Sequence, residues 1–236
     1  MSLTRAPARD PQRKGVIIIR VLMDLEQART NMVEQQIRTW EVLDQDVLDL
    51  LFVVPREEFV PSRHQALAFA DMQIPLGEAG QRMWEPKLEA RVVQELMVSK
   101  ADRVLEVGTG SGYVTALLAR LGADVTSVER FNTLAESAAQ HLKIVEAGKV
   151  RLEVGDGLAV RVRERFDRIL LNGACQVIPE TVTALLAPGS RLVGALTVDG
   201  MPHLVRIERD ADGELTQNLG ASLRISPLVT GIAATL

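Results

Sequence analysis

The sequence predicts an α/β protein built on a doubly wound, mostly parallel sheet, with a helical lid ahead of it. Three observations carry that expectation. From about residue 87 onward, short apolar runs alternate with helical stretches, the pattern of strand-helix units laid into a parallel sheet. The run VLEVGTGSGY, Val104 to Tyr113, joins a strand to a helix through glycines at 108, 110 and 112. Glu106, Glu129, Asp156 and Asn172 fall at the ends of successive strands, where ligands of open α/β sheets bind.

Taken in order, residues 1 to 22 read as a flexible extension, with Arg5, Arg9, Arg13, Lys14 and Arg20 against the single acid Asp10. No signal peptide is expected there, because Arg20 interrupts the short apolar run Val16 to Ile19. Residues 23 to 86 read as the lid. Its first helix spans Asp24 to Trp40, with Asp24 placed to cap it and Leu25, Ala28, Met32, Val33 and Ile37 on one stripe. A second helix follows Asp44 and stops before Pro55. Phe59 to Pro61 should be extended, Ser62 to Ala70 a short helix, and Asp71 to Pro86 a loop. Residues 87 to 236 read as the α/β domain, forming one compact unit with the lid. A helix over Lys87 to Val98 turns Leu88, Val92, Val93 and Leu96 inward. Strands are expected at Arg103 to Val107, Asp124 to Val128, Val150 to Val154, Phe166 to Leu171 and Arg191 to Leu196. Between them lie helices from Tyr113 to Gly122, around Leu134 to Val145, and over Glu180 to Leu186. Pro188-Gly189-Ser190 reads as a turn. Leu204 to Glu208 and Leu219 to Ile225 read as a closing antiparallel hairpin through Asp212-Gly213.

The chain has 236 residues, 47% of them hydrophobic and 25% charged, with a formal net charge of −4. That balance argues against a broad nucleic-acid surface, which needs clustered Lys and Arg. No apolar run approaches the roughly 20 residues that cross a bilayer. The single cysteine, Cys175, excludes an internal disulfide and fits the cytoplasm. His64, His141 and His203 are scattered and imply no metal.

The glycine loop is the candidate cofactor site. Glycine lets the backbone approach a ligand closely and turn through positive φ. A dinucleotide fingerprint places its last glycine one residue later than this chain does, which makes a nicotinamide oxidoreductase the weakest alternative. The spacing found here is E-x-G-x-G-x-G, Glu106 to Gly112, and it resembles motif I of the S-adenosylmethionine-dependent methyltransferases. Glu129, 23 residues after Glu106, can accept both ribose hydroxyls. Asp156, between Gly155 and Gly157, can reach an adenine amino group. The plain alternatives are a ligand-free glycine turn, a solvated Glu at a strand end and a simple G-D-G turn.

From about Asn31 to Gly231 the chain resembles the protein-L-isoaspartate O-methyltransferase family. The likeness rests on MVEQQIR, VVPREEFVP and ADMQIPLGEAGQ before the glycine loop, then on VLEVGTGSGY, SVER, GDG, FDRILLNGA, the VIP of Val177 to Pro179 and LRISPLV. It implies S-adenosyl-L-methionine held by Glu106, Gly108, Thr109, Gly110, Gly112, Glu129, Arg130, Asp156, Gly157 and Asn172. It further implies methyl transfer to the free carboxylate of an isoaspartyl residue in a protein or peptide. The departure lies in the substrate loop. The family pattern is G-Q-T-I-S-Q-P, and this chain has Gly80-Gln81-Arg82-Met83-Trp84-Glu85-Pro86. The family serine, which helps position the acceptor carboxylate, aligns with Trp84. Gln81, Arg82, Trp84 and Glu85 are therefore the candidates for contact with the acceptor. Trp84 either reshapes the pocket or packs beneath the lid. Arg82 either pairs with a carboxylate or is a solvated loop charge. A methyltransferase with another acceptor, and a non-catalytic cofactor-binding homologue, are the competing readings.

Overall fold

The computed structural model describes residues 24–160 and 164–229, so the extension read at residues 1 to 22 lies outside them. Helix α1 (24–31) widens into a π turn at Met32–Ile37 and tightens into a 3-10 turn at Arg38–Trp40. The expected stripe does face inward, with Met32, Val33 and Ile37 fully buried. The π turn is a departure from the 3.6-residue period. It puts the Arg38 N–H on the Val33 carbonyl and aligns Met32 with Ile37, as an i to i+5 turn does. Asp24, expected as a cap, is already in helical conformation.

Helix α2 (Gln45–Val53) is capped by the Asp44 carboxylate, which accepts the Val47 N–H at 3.2 Å. Phe59, expected in extended chain, instead ends a 3-10 turn over Arg56–Phe59, and the next helix is a 3-10 turn over Ser62–Leu67. Val60, held extended ahead of Pro61, stops the first of these after one turn. The segment expected as a plain loop contains a small hairpin, β1 (Ile74–Pro75) against β2 (Arg82–Met83). Its tip is tied down where Thr133 donates to the Glu78 carboxylate at 2.8 Å. Helix α3 (Pro86–Leu96) starts with proline at its first position, where a missing N–H costs nothing.

The α/β part runs β3 (Arg103–Val107), α4 (Tyr113–Arg120), β4 (Asp124–Glu129), α5 (Asn132–Ile144), β5 (Val150–Val154), β6 (Phe166–Cys175), α6 (Glu180–Thr183), β7 (Leu186–Val198), β8 (Met201–Arg209) and β9 (Leu215–Ser222). The seven strands lie in the order β5-β4-β3-β6-β7-β8-β9. The first five in that order are parallel, and β8 and β9 extend the edge antiparallel. The order reverses between β3 and β6, which opens a crevice at their carboxyl ends. One apolar layer carries Leu105, Ile169, Leu171, Leu192 and Val205 on one face. On the other face Met32, Leu48, Phe59 and Trp84 of the lid join Val93, Leu117, Val125 and Val193 in a single cluster.

Four expectations in this half need correction. The fourth strand does not stop at Leu171. It continues to Cys175 through an irregularity that leaves Asn172 and Gly173 inside β6. The helix expected to Leu186 is the four-residue α6, because Leu186 already pairs with Phe166. Pro188-Gly189-Ser190 is then a bulge in β7, with the Gly189 N–H reaching the Asp210 carbonyl at 3.3 Å. The closing hairpin begins earlier on both strands, and β8 also pairs with β7 through Asp199 and Gly200 at φ 50° and 78°. That pair of left-handed residues is the two-residue hairpin signal.

The irregularity in β6 receives the tail. The Ala174 N–H donates to the Ser226 carbonyl at 3.0 Å, and the Leu228 N–H donates to the Ala174 carbonyl at 2.9 Å. A Cβ on Gly173 would lie 2.8 Å from Leu228 Cγ and 3.0 Å from its backbone nitrogen. Gly173→Ala is therefore expected to cost about 1–3 kcal/mol by overpacking. Urea denaturation of the variant measures that loss, and an unchanged midpoint would show that the tail yields freely.

Candidate functional site

At the carboxyl end of β3, Glu106 is fully buried. Its Oε2 accepts the Thr115 hydroxyl at 2.5 Å and the Ser127 hydroxyl at 2.7 Å, and its Oε1 accepts Asn172 Nδ2 at 2.9 Å. Because the Ser127 proton is committed to Glu106, the Thr109 hydroxyl 2.6 Å away donates to Ser127. The glycine loop is thus wired to a carboxylate beneath it. Burial pushes the Glu106 carboxyl up to about 7, against the three converging donors. The sign for stability follows. A carboxyl raised in the folded state contributes stability that is full below about 4.5 and is lost as pH rises through about 7. Relative to wild type, Glu106→Gln should gain up to ~3 kcal/mol between pH 5 and 8. Thermal melts of both proteins across that range measure it, and parallel curves would refute it.

The loop itself turns through Gly108 and Gly110 at φ 92° and 56°. The Gly110 N–H donates to Glu129 Oε2 at 2.8 Å, and the Phe131 N–H donates to Oε1 at 3.0 Å. Each carboxylate oxygen keeps a lone pair for a further donor. Gly112 stands apart from the other two glycines. It precedes α4 and packs on Ala138, where a Cβ would lie 3.2 Å from Ala138 Cβ. After β5, Asp156 Oδ1 accepts the Leu158 N–H at 3.0 Å, and Arg130 approaches Oδ2 at 3.4 Å. Gly157 allows that turn to touch β3, since a Cβ there would meet Val107 Cγ1 at 2.5 Å.

A cleft runs over these groups. Gly108, Thr109, Gly110, Glu129, Arg130, Asp156, Gly157 and Asn172 line it. Glu106 and Gly112 do not: the first acts from beneath through Asn172 and Ser127, and the second shapes the helix start. The Asn172 Oδ1 is buried without a hydrogen-bond partner. A buried acceptor left unpaired costs about 1–3 kcal/mol, so it suits a ligand donor such as the ammonium of an amino-acid moiety. An adenosine cofactor with an amino-acid arm fits this set of groups. Glu129, Asp156 and Asn172 all present acceptor oxygens along this one cleft.

The same cleft continues to the hairpin, where Gln81, Arg82 and Trp84 line it. Trp84 is buried and Arg82 is exposed. Glu85 faces away into a second hollow with Gln73, and its backbone carbonyl accepts the Leu88 and Glu89 N–H groups. Sequence reasoning missed two residues here. Arg56 and Glu89 form a buried ion pair at 2.9 Å, and Glu89 reaches the cleft wall. Arg56 also donates to the Trp84 carbonyl at 2.7 Å and to the Ala68 carbonyl. Burial pushes the Glu89 carboxyl up to about 7, against the attraction of Arg56. The Trp84 carbonyl is therefore pinned by the arginine of a buried ion pair. The available signal was an acid at position 89 beside Leu88, on the face carrying Val92 and Val93. Leu228 and Val229 of the tail close the far wall.

Cys175 is buried, and burial pushes its thiol up to about 11, away from reactive thiolate. Among the described residues, no group of three or more His, Cys, Asp or Glu side chains could hold a metal ion. Among them, too, no helix is long and apolar enough to cross a membrane.

Comparison with known proteins places this geometry. The profile described as Protein-L-isoaspartate(D-aspartate) O-methyltransferase (PCMT) matches residues 27–233. A protein-L-isoaspartate O-methyltransferase of Trichlorobacter lovleyi is 37% identical over 209 residues, covering 88% of this chain and 96% of that protein. Protein-L-isoaspartate O-methyltransferase 2 of Rhodopseudomonas palustris is 38% identical over 197 residues, covering 83% and 90%. Among solved structures, a protein-L-isoaspartate O-methyltransferase superposes with a TM-score of 0.75 at 23% identity, over 86% of this chain and 66% of that one. A putative Plasmodium falciparum enzyme in complex with S-adenosyl-L-homocysteine gives 0.75 at 18% identity, over 86% and 97%. The two structures establish the shared fold. The profile match and the identities establish more: the chain belongs to the protein-L-isoaspartate(D-aspartate) O-methyltransferase family and is an S-adenosylmethionine-dependent methyltransferase.

Proposed function

We propose that the protein methylates the free carboxylate of L-isoaspartyl residues in damaged proteins or peptides, in the cytoplasm. The observation that carries this reading is that one cleft is lined both by the cofactor groups and by the hairpin bearing Gln81, Arg82 and Trp84. When bound, S-adenosylmethionine supplies an electrophilic methyl group on a sulfonium sulfur. An ionised carboxylate has a free lone pair at neutral pH, since its reference pKa is near 4, so no residue need act as general base. The work of the chain is alignment and exclusion of water, which can be worth roughly 7–11 kcal/mol. The Arg56–Glu89 pair, holding Trp84 by its backbone, fixes one wall against which an acceptor is aligned.

The test is incubation with labelled cofactor and an isoaspartyl peptide. Methyl ester above that of the normal aspartyl peptide supports the reading, and none would sink the acceptor assignment. A second reading, a methyltransferase with a different acceptor, is favoured by the buried Trp84 at the position where the family resemblance implies serine. Under it, the double variant Trp84→Ser, Arg82→Thr should acquire isoaspartyl activity that the parent lacks.

A further inference from the structure

We infer that Arg82 and Arg224 form an anion-binding subsite beside the transfer cleft, which takes a second carboxylate of the acceptor peptide. The inference rests on reading the cleft as a site for a peptide carboxylate. Every other arginine among the described residues is engaged by a carboxylate, a backbone carbonyl or, for Arg63, a histidine ring nitrogen. Arg82 and Arg224 alone have no hydrogen bond or ion pair of their side chains. An unpaired surface arginine is commonly just solvated. These two, however, line the same shallow, open depression, with Gln73, Glu85, Ile225 and Ser226. Arg82 lines the transfer cleft as well, so the two openings meet at its side chain.

The framework that brings them together is built from distant parts of the chain. Arg82 sits in β2, paired with Pro75 of β1. Just before β1, the Gln73 side-chain amide donates to the Arg224 carbonyl, tying the tail to the hairpin. The same amide lies 3.4 Å from both Glu85 oxygens. Glu85 is the one acid in the hollow, and against it stand two guanidinium groups, leaving a net positive charge. A planar guanidinium fork matches a carboxylate. A peptide whose accepting carboxylate lies in the cleft would leave it past Arg82. There an acidic side chain, or the peptide's own C-terminus, meets the two cations.

Binding tests this independently of turnover. The protein loaded with S-adenosylhomocysteine is titrated calorimetrically with isoaspartyl peptides carrying Glu or Gln after the isoaspartate, each with a free or amidated C-terminus. The Glu peptides, or the free-acid peptides if the terminus is the source, should bind about two- to fivefold tighter than their neutral partners, as expected of exposed ion pairs. That preference should shrink at ~0.5 M salt and vanish in Arg224→Gln and in the Arg82→Gln, Arg224→Gln double variant. Both positions are exposed, and thermal melts verify that the variants fold. Equal affinity for all four peptides overturns the inference, as does a preference that survives in the double variant. Absence of methyl ester on the neutral, amidated peptide would instead count against the isoaspartyl reading, leaving the binding preference to be judged by itself.

Discussion

Glu129→Ala is expected to raise the dissociation constant for S-adenosylhomocysteine by about two to three orders of magnitude. Glu129 does two jobs with one carboxylate. It accepts the Gly110 and Phe131 N–H groups at 2.8 and 3.0 Å, which sets the curve of the glycine loop, and it faces the cleft with lone pairs to spare. Alanine removes both the loop's anchor and the acceptor for ligand hydroxyls. Hydrogen bonds to charged groups contribute about 1.5–3 kcal/mol each, so losing two of them reaches the stated range. Glu129→Gln keeps one acceptor oxygen but turns an N–H toward a backbone N–H, and should fall between alanine and wild type. Calorimetric titration decides, and an alanine variant within threefold of wild type would mean that the ribose is held elsewhere.

Arg56→Ala is expected to lower the free energy of unfolding by about 3–5 kcal/mol, because it strands the buried Glu89 charge. It also abandons the Trp84 and Ala68 carbonyls that Arg56 serves. The paired replacement Arg56→Met, Glu89→Leu removes the charge together with its partner and should recover much of that loss. Urea denaturation of wild type, Arg56→Met, Glu89→Leu and the double variant gives the coupling directly, with Arg56→Ala measured alongside. If the double variant is no more stable than Arg56→Ala, the cost lies in the orphaned carbonyls and not in the charge. Arg56→Ala should still bind the cofactor, since Arg56 does not line the cleft.

The glycine loop and its strand were readable because local chemistry dictates them. Arg103–Val107 and Val150–Val154 form strands with the expected bounds, where β-branched and leucine residues run into a turn that only glycine permits. What escaped reading depends on partners remote in sequence. Asn172 lies within β6 because Ser226 and Leu228 extend the ladder there, and no local pattern announces a tail more than fifty residues away. Glu106 looked like a ligand residue by its spacing. Yet Thr115, Ser127 and Asn172 enclose it, and a strand-end position cannot tell a cleft-facing acid from one buried beneath it. Arg56 and Glu89 are separated by 33 residues, and each taken alone reads as a surface charge.

The closure of β6 by the tail sets an order of events during synthesis. One cleft wall comes from residues 76–89 and the opposite one from Leu228 and Val229. A nascent chain can therefore fold its lid and lay down the first parallel strands while the binding groove still lacks a side. Domains form as their residues leave the ribosome, earliest segments first, and here the groove stays open until residues 228 and 229 emerge. Methyl-donor capture then has to wait for Leu228 and Val229, and a ribosome-tethered chain halted before Leu228 should have folded helices and little grip on its cofactor.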